Sequence, residues 1–310
     1  MISTSSIFIW AIQLSFVPLA SPLCVGIIRK IKAKLQNRKG AGIFQPYKEL
    51  WKLFHKDEII SKDASWIFTI APYVVFSSTI VVALSIPIFA SFIHNPFTGD
   101  ALMVIYALAI GTFFLALAGM DIGGAFGGFG ASREMTMAAL AEGGFIFSLL
   151  TVSLAANSTN LFLISGSNML YLANSLPVVL AFFALCIVLL AETARFPFDN
   201  PATHLELTMI HEAMILEYSG KKLALMEWAS ANKLLIFIAL AANLFFSFGI
   251  AQNGTAGAIL LGIGAFVIKA GIFCVAIAWL ESSIAKFRFF RLPDLLIVSF
   301  ILNVAAIIIL

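Results

Sequence analysis

The chain has 310 residues, 61% hydrophobic and 11% charged, with a mean hydropathy of +1.01 and a formal net charge of +3. A soluble domain is about 45–50% apolar and about 25% charged, so no soluble core absorbs this excess and a bilayer must. The small positive balance is accounted for by membrane anchoring (below), which leaves a nucleic-acid partner without support.

A span needs about 20 predominantly apolar residues. Eight stretches qualify: 6–28, 66–93, 101–120, 136–156, 174–192, 231–250, 257–280 and 293–310. The reading is one all-α integral membrane domain, 1–310, of about eight transmembrane helices with long cytoplasmic loops. The first stretch bears Pro18 and Pro22, has no small-residue cleavage site and runs into a basic loop. It reads as an anchor rather than a signal peptide.

Segment 29–63 carries ten of the nineteen Lys and Arg residues. With the N-terminus outside, segments 29–65, 121–135, 193–230 and 281–292 fall on the cytoplasmic side, and the outer loops 94–100, 157–173 and 251–256 hold no Lys or Arg. That asymmetry is what the positive-inside rule demands. Within the basic loop, GIFQPYKELWKLFHK (42–56) repeats Phe44, Tyr47, Leu50, Trp51 and Phe54 at helical steps, with Lys48, Lys52 and Lys56 on one stripe. This predicts an interfacial amphipathic helix resting on lipid, opened by Pro46.

Next, MDIGGAFGGFGASREM (120–135) places five glycines between two spans. The Walker lysine and a preceding strand are missing, so phosphate binding is a poor fit. A loop whose glycines allow close backbone approach is expected, with Ser132 as cap of the following helix and Asp121, Arg133 and Glu134 flanking it. Further on, Glu142 and Lys269 lie inside spans, where a charge costs about 2.5–3.5 kcal/mol. A polar pathway through both is expected, whereas Lys233, near a span end, reads as snorkelling.

Residues 192–218, ETARFPFDNPATHLELTMIHEAMILEY, gather Glu192, Arg195, Asp199, Glu206, Glu212, Glu217, His204 and His211. Pro197 ends the fifth span, and Asn200-Pro201 predicts a helix start running at least to Met214. At about 100° per residue, His204, Thr208, His211 and Glu212 would share a polar stripe, with Glu206 and Glu217 on the opposite, apolar side. Carboxyls on such a face are pushed toward neutral pKa by desolvation, which suits groups that bind and release protons. The two histidines stand seven apart, and HE at 211–212 does not continue as HExxH, so no metal is expected. Cys24, Cys186 and Cys274 are scattered through apolar spans and read as small hydrophobes.

Three motifs together carry a resemblance. Glu192-Thr193-Ala194-Arg195-Phe196-Pro197-Phe198-Asp199, with Glu206-Leu207 and Glu217-Tyr218, resembles the signature of the complex I membrane-anchor subunit. Arg38 and Gly40-Ala41-Gly42-Ile43-Phe44-Gln45-Pro46, with Lys52-Leu53-Phe54, form a second match. Gly119-Met120-Asp121 through Gly130-Ala131-Ser132-Arg133-Glu134, and Glu217-Tyr218-Ser219-Gly220, look closer to the equivalent subunit of formate hydrogenlyase and other group 4 membrane-bound nickel–iron hydrogenases. The quinone-reducing relatives carry a denser acidic run where this chain reads NPATHLEL.

The resemblance implies a non-catalytic, multi-pass subunit of the inner membrane with no redox centre of its own. Its partners would be hydrogenase-like large and small Fe–S subunits at the cytoplasmic face, holding Fe–S clusters and a nickel–iron centre, and antiporter-like membrane subunits. Glu142, Glu192, Arg195, Asp199, Glu206, Glu212, Glu217 and Lys269 are the expected relay or coupling residues. Arg38, Gln45, Asp121, Arg133, His204 and His211 are expected to dock the peripheral arm. The alternatives are the quinone-chamber subunit of an NADH:quinone oxidoreductase and a stand-alone membrane carrier.

Overall fold

A computed structural model describes residues 4–92, 99–166, 175–199 and 209–310. The described residues form eleven α-helices: α1 (Thr4–Leu35), α2 (Gln45–Phe54), α3 (Trp66–Ser85), α4 (Ala101–Asp121), α5 (Ala125–Ala156), α6 (Leu161–Gly166), α7 (Leu176–Glu192), α8 (His211–Ile215), α9 (Gly220–Phe245), α10 (Ala256–Ser283) and α11 (Leu292–Ile309). Seven of them are long and apolar enough to cross a membrane, and α7 adds a shorter apolar helix. The chain is a multi-pass membrane protein.

Helix α9 is the axis of the bundle, packed against α1, α2, α3, α6, α7 and α10. Its run from Leu234 to Phe245 is buried throughout. A helix apolar on all sides has to be interior. Helices α10 and α11 lie at the periphery, with only 28% of their apolar windows buried inside the chain.

Several boundaries depart from the sequence expectation. Helix α3 stops at Ser85 rather than 93, because Pro87 pushes Ile86 into extended backbone at φ −111° and ψ 133°. Helix α9 runs from Gly220 to Phe245, earlier than the expected 231–250. The glycine-rich stretch is not a loop: α5 begins at Ala125 with Gly124 as its N-cap, so Ser132 is an interior, exposed helix residue and no cap. Each helical glycine costs about 1 kcal/mol in propensity, and packing repays it here. A Cβ on Gly127 would sit 2.1 Å from the Gly119 carbonyl, and one on Gly130 would sit 2.8 Å from the Ile210 carbonyl.

Helix α2 forms where expected, with Pro46 in its first turn and Phe44 and Trp51 exposed beside it. The Tyr47 hydroxyl donates to the Leu19 carbonyl of α1, and Arg29 Nη1 pairs with Glu49 Oε2 at 2.9 Å across the same contact. Proline also shapes α1. Pro22 has no N–H for the Pro18 carbonyl, and the Trp228 indole of α9 donates to it instead, at 2.8 Å.

The cationic residues Lys32, Arg195, Lys222 and Lys286 gather with their partners at one end of the bundle, here the basic end. The opposite, far end carries the bridges Ala90–Ala251 and Asp100–Asn160.

Candidate functional site

The end of α7 starts the site. Thr193 closes the helix, and Ala194 adopts the left-handed region at φ 49°. The Arg195 amide donates to the Leu190 carbonyl and the Ala194 amide to the Ala191 carbonyl. That is a Schellman ending with alanine where glycine is usual. It turns the chain sharply, so Glu192 points into the bundle while Arg195 and Asp199 reach other elements.

Glu192 Oε2 lies 2.7 Å from Lys233 Nζ, and Lys233 also donates to Thr112 Oγ1 at 3.4 Å. Lys233 therefore does not snorkel to the interface. It faces inward, in the field of Glu192, Glu134 and Glu142. A small cavity of about 40 Å³ lies over the pair, lined by Ser78, Thr79, Thr112, Glu134, His211 and Ser230 among others. Such a volume holds about two or three waters.

A larger cavity of about 410 Å³ opens between α1, α2, α8, α9 and the Thr193–Arg195 turn. Its charged walls are Arg29, Glu49, Lys52, Arg195, Glu212 and Glu227. The two cavities share Thr193, Ala194, His211 and Ser230, so one layer of side chains separates the chamber from the buried lysine. Burial, then repulsion from Lys233, lowers the His211 pKa to about 4, against a smaller pull from Asp199. His211 is thus a neutral ring between the cavities at pH 7. Burial, followed by Glu227 and Asp199, raises the Glu212 pKa to about 7, with Arg29 opposing.

Two ion clusters hold the turn in place. Glu281, at the end of α10, accepts from Arg195 at 3.0 Å and from Lys32 at 2.9 Å, with its side chain only 2% exposed. Asp199 Oδ1 pairs with Lys286 at 2.6 Å, and its Oδ2 accepts from the Ile210 and His211 amides at 3.3 and 3.2 Å. Asp199 therefore satisfies the free amides at the start of α8. Arg133 stacks on Phe129 at 3.7 Å and donates to the Met209 carbonyl at 3.3 Å, bracing the same entry.

A sequence profile of the family described as NADH dehydrogenase matches residues 8–310. The chain belongs to that family. It is 35% identical over 271 residues to hydrogenase-4 component C of Escherichia coli (strain K12), covering 87% of this chain and 84% of that protein. Formate hydrogenlyase subunit 4 of the same organism is 31% identical, covering 86% and 87%. An NADH-quinone oxidoreductase subunit of Paraburkholderia phymatum is 27% identical, covering 91% and 84%. Among solved structures, a chain of the membrane-bound sulfane sulfur reductase, an archaeal respiratory membrane complex, shares the fold. The TM-score is 0.80 at 20% identity, covering 97% of this chain and 99% of that one.

Within this family member, the expected site residues divide into groups. Glu142, Glu192, Arg195, Asp199, Glu212 and His211 converge at the basic end. His204 and Glu206 lie outside the described residues, as does the expected helix start at Asn200-Pro201. The expected continuous helix does not pass through 209–210: Ile210 is non-helical at φ −121° and ψ −79°, and α8 spans only His211–Ile215. Glu217 consequently sits beyond the helix and is exposed, not on an apolar face. Tyr218 takes the buried position, stacked on Phe68 with centroids 4.0 Å apart. His211 faces the internal cavities rather than a docking surface. Asp121 is committed within the chain, accepting from the Ser65 amide at 2.7 Å and from its hydroxyl at 2.5 Å. Arg38 is exposed and Gln45 opens α2, both on the basic face.

Lys269 is nowhere near Glu142's cluster; it bonds Asn243 and the Phe246 carbonyl toward the far end. The acids that sequence reasoning missed are Glu227 and Glu281, and it misjudged Lys233. Their signal was available, since each is a charge set within or at the end of a predominantly apolar helix. Among the described residues, no group of three or more His, Cys, Asp or Glu is placed to hold a metal ion.

Proposed function

We propose that this chain is the membrane-anchor and coupling subunit of a complex I-related oxidoreductase of the group 4 hydrogenase type. Its basic end faces the cytoplasm at the inner membrane. There Arg38, Gln45, Arg133 and α2 receive a peripheral arm carrying Fe–S clusters and a nickel–iron centre. Inside the bundle, Glu212 and Arg195 in the chamber, then the shared wall at His211, lead to Glu192 and Lys233, with Glu134 and Glu142 beyond. Protons or sodium-linked charge pass along this line toward antiporter-like membrane subunits.

One observation carries the reading: a charged chamber of about 410 Å³ and a buried lysine–carboxylate pair share a single wall of side chains. A group that must change protonation when electrons pass nearby is best held half-dry beside an opposite charge. The test uses the whole complex in proteoliposomes. Glu142→Gln and Glu212→Gln should leave it assembled and lower the ions moved per electron. Normal coupling in both variants overturns the relay.

The chamber's volume favours one second reading, a quinone site, because ligand pockets run from about 300 to 1,000 Å³. Its six charged walls oppose an isoprenoid tail. Quinone-dependent, inhibitor-sensitive oxidation by the purified complex would decide for that reading.

A further inference from the structure

The far half of the bundle holds a second polar cluster, separate from the basic-end relay. Lys269 on α10 is 4% exposed and donates to Asn243 Oδ1 at 3.2 Å and to the Phe246 carbonyl at 2.5 Å, beneath the Phe248 ring at 4.6 Å. Asn243 donates to the Pro87 and Ile88 carbonyls at 2.9 and 2.7 Å, and Gln13 Oε1 accepts from the Ile88 amide at 2.9 Å. These side chains meet two non-helical segments, 86–91 and 246–251, which are bonded to one another. The second segment doubles back along α10: Gly249 abuts Ala265, about 13 Å from that helix's start at Ala256.

Lys269 differs from a structural ion pair. Among the described residues no carboxylate faces its amine from α1, α9 or segment 246–251. The first titratable groups toward the basic end are Cys24 on α1, Lys233 on α9, and Cys274 and Glu281 on α10 itself. Both of its acceptors are neutral. A neutral amine still has two N–H groups for them, so the geometry is satisfied in either protonation state. In the same cluster, buried Gln13 Nε2 has no hydrogen-bond partner. A spare buried donor of this kind marks a place for a water oxygen. Toward the basic end, Val17, Val82, Ile236 and Leu240 are all buried between this cluster and the Ser21–Asn232–Thr79 contacts. That layer is apolar.

We infer that Lys269 is a proton-exchanging site open only to the far-side compartment. Its ammonium passes one proton to a water held by Gln13 Nε2. The hydronium leaves past Phe248, and the amine keeps its bonds to Asn243 and Phe246 until far-side water returns a proton. The charge on Lys269 thus follows far-side pH and acts on the basic-end acids through the apolar layer, without proton hopping across it. This goes beyond the relay proposed above, which never reaches Lys269.

The test is made on the assembled complex in proteoliposomes, with the far end facing the lumen and the lumenal pH varied alone. Wild-type turnover should respond to lumenal pH by about fivefold or more, the size of an ordinary inter-site coupling. Lys269→Arg, charged at every working pH, and Lys269→Gln, charged at none, should both lose that response. A flat wild-type profile, or a wild-type profile retained in either variant, overturns the site. So does failure of both variants to assemble, which would leave Lys269 as a cap on the α9 C-terminus. Loss of coupling in Glu142→Gln with the lumenal response intact would leave this site standing, so the two readings fail separately.

Discussion

Lys233 Nζ on α9 lies 2.7 Å from Glu192 Oε2 at the end of α7, both side chains largely withdrawn from solvent. Removing one partner of a buried pair strands the other charge, at a cost of about 3–5 kcal/mol, whereas replacing both with apolar groups is often neutral. Lys233→Met should therefore lower the melting temperature sharply, and Lys233→Met with Glu192→Leu should recover most of it. Coupled ion movement should stay lost in the double variant. A double variant as unstable as the single one would show that the pair is not an isolated energetic unit.

Glu281 is the counter-charge for both Arg195 and Lys32. In Glu281→Gln, Arg195 loses its carboxylate while remaining buried, at a cost again of about 3–5 kcal/mol. The 193–199 turn should then exchange amide hydrogens faster than in the wild type. Unchanged protection across that turn would contradict the anchoring role.

His211 and Glu212 make opposite contributions to stability against pH. The His211 pKa falls from 6.5 to about 4 on folding, so the native state binds fewer protons in that window and stability rises with pH there. The Glu212 pKa rises from 4.5 to about 7, so the native state holds an extra proton and stability falls with pH across its window. Where the windows overlap the two slopes cancel. Glu212→Gln should expose the histidine slope, with melting temperature climbing from acid pH to about 6.5. His211→Asn should expose the reverse slope, falling toward about pH 7. Parallel profiles for the two variants would refute the assignment.

The packing of α5 supplies an internal control. A Cβ at Gly127 would press on the Gly119 backbone at 2.1 Å, whereas one at Gly128 meets nothing within 4 Å. Gly127→Ala should separate α4 from α5 and reduce the folded yield. Gly128→Ala should be neutral or stabilising by up to about 1 kcal/mol, from helix propensity alone. Equal yields would mean that α4 and α5 do not rely on this contact.

Much of the scaffold is legible in the sequence. Hydropathy locates every long helix because bilayer thickness imposes a length on apolar runs. Amphipathic α2 is legible because its period and Pro46 are local signals. The glycine-rich start of α5 is not, because glycine's own preference points to a loop. Only contact with Gly119 and Ile210 rewards the missing side chains. The break at Ile210, just before α8, is illegible for a similar reason. Asp199, eleven residues upstream of Ile210, takes the amides that begin α8, and a non-local capping bond leaves no periodic trace.

The sequence by itself determined that this chain crosses a membrane, which end is basic, and which stretch concentrates its titratable groups. It left undecided who pairs with whom. Glu142 and Lys269 read as parts of one polar pathway because both are charges within spans, yet tertiary packing sets Glu142 with Lys233 and carries Lys269 to Asn243 and Gln13. Depth along a helix is a one-dimensional quantity that composition records. The choice of partner depends on which helix faces which, and only the packed bundle decides that.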